Sequence, residues 1–180
     1  MKTLTLLRHA KSGWDDPVAR DFDRALNARG MRAAQTVGRH VRNLGLVFDH
    51  VVASPAVRCI DTLDGVWDGY GTTLHPNWDR RIYLASGMTL LDVVHDQNDA
   101  HARVLMCGHN PGLEDLVLML VPDHDDDLMR DDIEEKFPTA SIAELVFDID
   151  RWADVASGNA TLTRFIRPRD LDAALGPDAE

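Results

Sequence analysis

The chain's 180 residues are enough for one α/β domain with a sizeable core, and no linker or shift in composition divides them, so 1–180 reads as a single domain. A formal charge of −11 with no offsetting basic stripe excludes nucleic acid and anionic membrane as expected partners. Two cysteines, Cys59 and Cys107, give neither a disulfide framework nor a metal-ligand spacing, no basic-then-apolar leader opens the chain, and the longest apolar run, Leu116 to Val121, is too short to cross a bilayer; a cytoplasmic protein is expected.

The first predicted element is a buried strand from the chain start through Leu7 that stops at two adjacent cations, Arg8 and His9. The carboxyl end of such a strand is where an α/β sheet opens its ligand crevice. Arg8 offers a planar fork of donors for phosphate oxygens, and a neutral His9 is a nucleophile for the phosphorus. The plain alternative is that both residues only end the strand. Trp14 to Asp23, rich in Asp and broken by Pro17, reads as a loop over that strand end, with Arg24 just beyond it. Asn27 then caps a helix reaching Asn43, with Met31, Ala34, Val37, Val41 and Leu44 as its core stripe and Arg29, Arg32, Arg39 and Arg42 as a solvated face.

Gly45 ends that helix, and His50 to Ala53 makes a second strand. Ser54 caps the next helix with Pro55 in its first position, which places Arg58 about one turn in. A cation at the positive end of a helix makes sense if both point at the same anion. Gly69 to Arg81 shows no period; Ile82 to Leu84 is a weak strand or turn, followed by a helix from Met88 to Gln97. Arg103 to Cys107 is a convincing strand stopping at Gly108-His109-Asn110-Pro111-Gly112, where Asn110 caps and Pro111 opens a helix over Leu113 to Leu120. The acids between Asp123 and Glu135 crowd around Arg130 in a solvated loop and short helix. Ala140 to Phe147 and Ala160 to Ile166 alternate as strands and pair antiparallel at a sheet edge, and from Pro168 a short helix fades into a disordered tail.

Three strand ends therefore deliver Arg8 with His9, Arg58 and His109 to one edge of a parallel sheet. The expected architecture is a three-layer α/β/α fold with a mainly parallel central sheet and an antiparallel edge strand. The motifs R-H-A-K-S, S-P-A-x-R and G-H-N-P-G resemble the histidine phosphatase superfamily, branch 1, with its phosphoglycerate mutase-like fold, and within it the SixA-like phosphohistidine phosphatases. Asp21-Phe22-Asp23-Arg24, Pro138-Thr139-Ala140 and Phe165-Ile166-Arg167-Pro168-Arg169 extend the resemblance almost end to end.

The resemblance implies a hydrolase in which His9 accepts the phosphoryl group, Arg8 and Arg58 bind its oxygens, His109 completes the pocket and Arg24 adds a further phosphate contact. It implies no cofactor or metal, and a phosphohistidine-bearing protein as partner. SixA-like members commonly carry a Glu before Leu-Tyr, where this chain has Arg81 before Ile82-Tyr83. Asp79 and Glu114 are the candidates for a replacement acid, with no acid at all as the third option. A phosphoramidate eases the loss, because a leaving imidazole needs less protonation than an alkoxide. A phosphatase of small phosphate esters and a non-catalytic phosphate or phosphoprotein binder stay open as alternatives, and the oligomeric state is not legible. Cys59 and Cys107 flank the expected site, as small buried hydrophobes or as redox groups.

Overall fold

The computed structural model describes residues 1–15, 17 and 20–177. Parts of the Trp14 to Asp23 loop and the last residues of the expected disordered tail lie outside them.

The six strands are β1 (Lys2–Arg8), β2 (His50–Ala53), β3 (Asn77–Trp78), β4 (Arg103–Gly108), β5 (Ile142–Phe147) and β6 (Thr161–Ile166). They form one sheet in the order β3-β2-β4-β1-β5-β6. β3, β2, β4 and β1 run parallel, whereas β5 is antiparallel both to β1 and to the edge strand β6. The helices are α1 (Ala28–Asn43), α2 (Val57–Tyr70), α3 (Gly87–His95), α4 (Gly112–Leu120), α5 (Leu128–Glu135) and α6 (Pro168–Leu171).

Strand alternation divides the core in two. Leu4, Leu6, Val52, Val104 and Met106 pack with Leu90, Val94, Leu113 and Leu116 of α3 and α4. Leu7, Val51, Ala53, Leu105 and Cys107 point the opposite way, onto Ala34, Val37 and Val41 of α1 and Leu63 and Val66 of α2. The middles of β1, β2 and β4 are buried and largely apolar because both faces are covered, the pattern of a parallel sheet in three layers.

Asn27 caps α1 as expected, its side chain accepting from the Gly30 amide at 2.8 Å, and Gly45 follows the helix with a positive φ of 71°. The buried stripe differs from the sequence reading: Gly30, Ala33 and Gly38 join Ala34, Val37 and Val41, while Met31 is half-buried and Leu44 exposed. At Gly38 the cause is the close crossing of α2, for a Cβ there would stand 2.1 Å from the Val66 carbonyl oxygen, and at Gly30 it is the Lys11 backbone, at the same distance. Two of the four arginines expected on a solvated face reach beyond their own helix. Arg29 donates to the Gly176 carbonyl, and Arg32 pairs with Asp172 at 2.6 Å, so both tie α1 to the chain's closing segment.

Two helix starts also depart from expectation. α2 begins at Val57 with Ala56 as its N-cap, so Ser54 and Pro55 precede it. α4 begins at Gly112 with Pro111 as N-cap, and Asn110 Oδ1 accepts from the Glu114 amide at 3.2 Å. In the acidic segment Arg130 is buried. It donates to the carbonyls of Leu118 and Val121, at the end of α4 where a cation is favoured, and pairs with Asp123 and Glu134. Among the described residues no helix is long and apolar enough to cross a membrane.

Candidate active site

β1 and β4 are paired through Arg8↔Gly108, and the His9 amide continues the ladder to the Gly108 carbonyl at 3.0 Å. His9 and His109 thus leave neighbouring strand ends together, their ring centroids 5.2 Å apart. A Cβ at Gly108 would lie 2.9 Å from an Ile82 methyl, so the strand end admits only glycine without a shift. The cleft above, about 300 Å³, is lined among others by Arg8, His9, Lys11, Ser12, Arg24, Arg58 and His109. All five residues expected at the site therefore meet in one place.

His9 is buried, and its Nδ1 lies 2.7 Å from the Ala10 carbonyl oxygen. A carbonyl only accepts, so Nδ1 carries the hydrogen and Nε2 keeps its lone pair. Ala10 is pinned in turn, its amide donating to Thr62 Oγ1 at 2.8 Å. Burial pushes the His9 pKa down to about 3; the Ala10 hydrogen bond opposes this, while His109, Arg8 and Arg58 add to it. The imidazole is neutral at any ordinary pH, the state a nucleophile requires.

Arg58 is 2% exposed, on the first turn of α2. Its Nη1 donates to the Asp21 carbonyl at 2.7 Å and its Nη2 to Asp21 Oδ2 at 3.0 Å. Nη2 also lies 3.3 Å from His109 Nδ1, while His109 Nε2 lies 2.8 Å from Ser54 Oγ. Ser54 is thus a support for His109 rather than a helix cap. Arg8 donates from Nη1 to the Phe137 carbonyl at 2.9 Å, and the Nε atoms of Arg8 and Arg58 are buried without a partner among the described residues. Those donors are the unspent capacity of a site suited to oxyanions.

Arg24 reaches the cleft through Ser12 Oγ at 2.6 Å and Asp21 Oδ1 at 3.1 Å, with its guanidinium 3.6 Å over the Trp14 ring. Asp21 is the residue the sequence reading left without a role. Burial raises its pKa, but donors from Tyr83, Arg58 and Arg24 outweigh that and bring it down to about 2. Tyr83 also sets its ring edge against His109, at 5.4 Å between centroids. The resembling stretch Asp21 to Arg24 was the available signal for Asp21; Tyr83 and Ser54 had none beyond their nearness to motif residues.

Neither candidate acid lines the cleft. Asp79 caps the turn at Arg80–Ile82 and pairs with Arg81 at 2.8 Å; the hydrogen bonds from Arg81 hold its pKa below the usual range. Glu114, in the first turn of α4, is pushed up by burial and by Asp115, and pulled down by Arg8. Arg81 itself turns outward to Asp79 and Asp96. Cys59 and Cys107 are both free and fully buried, Cys59 Sγ standing 3.6 Å from His109 Nε2.

Residues 4–82 match the model of the histidine phosphatase superfamily (branch 1). A protein of Mycobacterium tuberculosis is 36% identical over 165 residues, 91% of this chain and all of its own length. The chain belongs to the histidine phosphatase superfamily. Its fold is similar to that of a Nakamurella multipartitia structure named as a phosphohistidine phosphatase SixA, with a TM-score of 0.81 and 28% identity across 93% of this chain and 96% of the other. An Agrobacterium tumefaciens structure named in the same way gives 0.74 and 27%, across 93% and 98%. The chain is a SixA-like member with the phosphoglycerate mutase-like fold, and a hydrolase of the phosphatase class.

Proposed function

We propose that this phosphatase removes phosphate from a phosphorylated histidine of a protein through a covalent phospho-His9 intermediate. His9 Nε2 attacks phosphorus while Arg8, Arg58 and Arg24 hold the non-bridging oxygens, and His109, accepting from Arg58 at Nδ1, holds that guanidinium beside the reacting ring. The substrate's P–N bond breaks with its electron pair going to the imidazole nitrogen, which takes its proton from solvent. Water then attacks the phosphorus of phospho-His9, the P–N bond breaks with its electron pair returning to Nε2, and inorganic phosphate leaves, the proton of the attacking water passing to phosphate or solvent. No step calls on a metal or cofactor.

The observation that carries the substrate class is the pairing of Asp21, whose two carboxylate oxygens accept from Arg24, Arg58 and Tyr83. Among the described residues it is the carboxylate that lines the cleft, and these donors hold its pKa down at about 2, which favours an acceptor over a proton donor for a leaving group. An alkoxide leaving from a phosphate ester needs that proton, whereas an imidazole is basic enough to be protonated before or during cleavage. An open rim supports a protein rather than an enclosed small molecule: Trp14 and Leu84, both lining the cleft, are 75% and 57% exposed. Leu84 holds this position with a positive φ of 48°, an uncommon conformation for a branched residue that recurs at functional sites.

The test is release of phosphate from a histidine-phosphorylated domain beside a phosphoserine peptide, both with chelator present. The expected result is at least about 10²-fold faster release from phosphohistidine, the scale of a missing general acid. Comparable rates on both would show that an acid serves the site and would move the assignment to ester hydrolysis. Binding of both without release would point to a phosphoprotein binder.

A further inference from the structure

A second space, about 280 Å³, opens beside the cleft and shares Arg8, Lys11 and Thr139 with it. Its cations are Arg8, Lys11, Arg29, Lys136, Arg167 and Arg169, and no carboxylate lines it among the described residues. In a chain carrying −11 this is a marked local reversal of sign, set directly after the acidic helix α5. Two of these cations hold the groove in shape. Arg29 donates to the Gly176 carbonyl, and Arg167 pairs with Asp170 at 2.9 Å in the cap of α6, so together they brace the closing segment that forms one wall. Lys11, Lys136 and Arg169 are exposed on the groove.

We infer that this groove is a second anion subsite that holds an acidic side chain flanking the phosphohistidine of the substrate protein. The inference rests on the proposed phosphohistidine reaction and adds its sequence preference. The shared residues place the second anion beside the phosphoryl group rather than at a separate site. Along an extended chain two residues span about 7 Å, so an Asp or Glu near the phosphohistidine reaches the groove while the phosphoryl group occupies the cleft. The net charge repels free anions from bulk solution, but a carboxylate tethered to the phosphohistidine arrives at high local concentration. The acidic surface of α5 alongside then favours a substrate whose anionic patch is small and bordered by basic residues.

The experiment compares two synthetic phosphohistidine peptides that differ only in having Glu or Gln two residues from the phosphorylated histidine. The native enzyme and a Lys136→Ala/Arg169→Ala variant are assayed at low and high salt. The expected result is a kcat/KM about tenfold higher for the Glu peptide with the native enzyme, a ratio that falls toward one in the variant and in high salt. Equal rates on the two peptides with the native enzyme, or a preference that survives in the variant, would overturn the inference while leaving the phosphohistidine reaction standing. Hydrolysis of neither peptide by an enzyme that cleaves an aryl phosphate would overturn the reaction and the inference with it. Equal peptide rates together with faster cleavage of a small bisphosphate than of its monophosphate would assign the groove to a metabolite instead.

Discussion

The nucleophilic role proposed for His9 rests on three features that act on one ring: the Ala10 carbonyl fixes the tautomer, burial disfavours the proton, and the neighbouring cations add to that. Its ring signals should therefore not titrate between pH 8 and pH 5 in an NMR titration; a midpoint near the ordinary 6.5 would refute the burial argument. The sign for stability follows from the same shift. Folded His9 binds fewer protons than the unfolded chain between about 3 and 6.5, so its contribution is complete above 6.5 and is lost as pH falls toward 3. Arg58 and Arg24 differ in how they are held, the first buried against Asp21 and His109, the second reaching in from the loop under Trp14. Arg58→Lys should lower kcat/KM by about 10²-fold, since an ammonium cannot reproduce the fork, and Arg24→Lys by about tenfold; the reverse order in steady-state kinetics would show that the loop arginine dominates binding. His9, Arg8, Arg58 and His109 were legible because each sits at a strand end or first helical turn that the apolar pattern marks. Asp21, Tyr83 and Ser54 were not, since their roles depend on side chains brought together from distant segments.

At the level of elements, α1 and α2 act as one unit, and the position of α2 decides where Arg58 points. Their contact is unusually close because of glycine: Cβ atoms at Gly38 and Gly69 would each stand 2.1 Å from a backbone carbonyl oxygen of the partner helix, Val66 and Gln35 respectively. In an exposed helix Gly→Ala is stabilising by about 1 kcal/mol, so Gly38→Ala gives a sign test. The expected outcome is destabilisation by about 1 to 3 kcal/mol in urea unfolding, the cost of forcing the helices apart; unchanged or increased stability would show that the crossing is loose. The sequence revealed the strands and helices of the parallel half because apolar runs end at Gly, Pro and Asn in recognisable order. It found Ala34, Val37 and Val41 of the α1 stripe but missed its glycines, since periodicity counts side chains and the closest part of this contact has none. It also left Gly69 to Arg81 unread, where beyond the end of α2 the chain forms the two-residue β3 and a short turn, too little for a period to register.

Across the whole molecule, charge is sorted rather than evenly spread. Acids dominate the surface around α5, while arginines and histidines gather where the parallel strands end. The sheet order makes this possible, because β2, β4 and β1 lie side by side and present Ser54, His109 and His9 along one edge. That arrangement was foreseeable from three strand-end motifs in one chain; the basic groove beside it was not, since its residues come from the two ends of the sequence and the segment at Lys136. The proposed reaction stands or falls on which atom takes the phosphoryl group. The most direct measurement is an alkaline quench of the enzyme during turnover of a phosphohistidine protein, followed by mass spectrometry of its peptides and a parallel assay of His9→Ala. The expected result is phosphate on His9 alone, with turnover in the folded variant reduced by about 10⁴-fold or more. Phosphate on His109 or another residue, or undiminished turnover without His9, would contradict it.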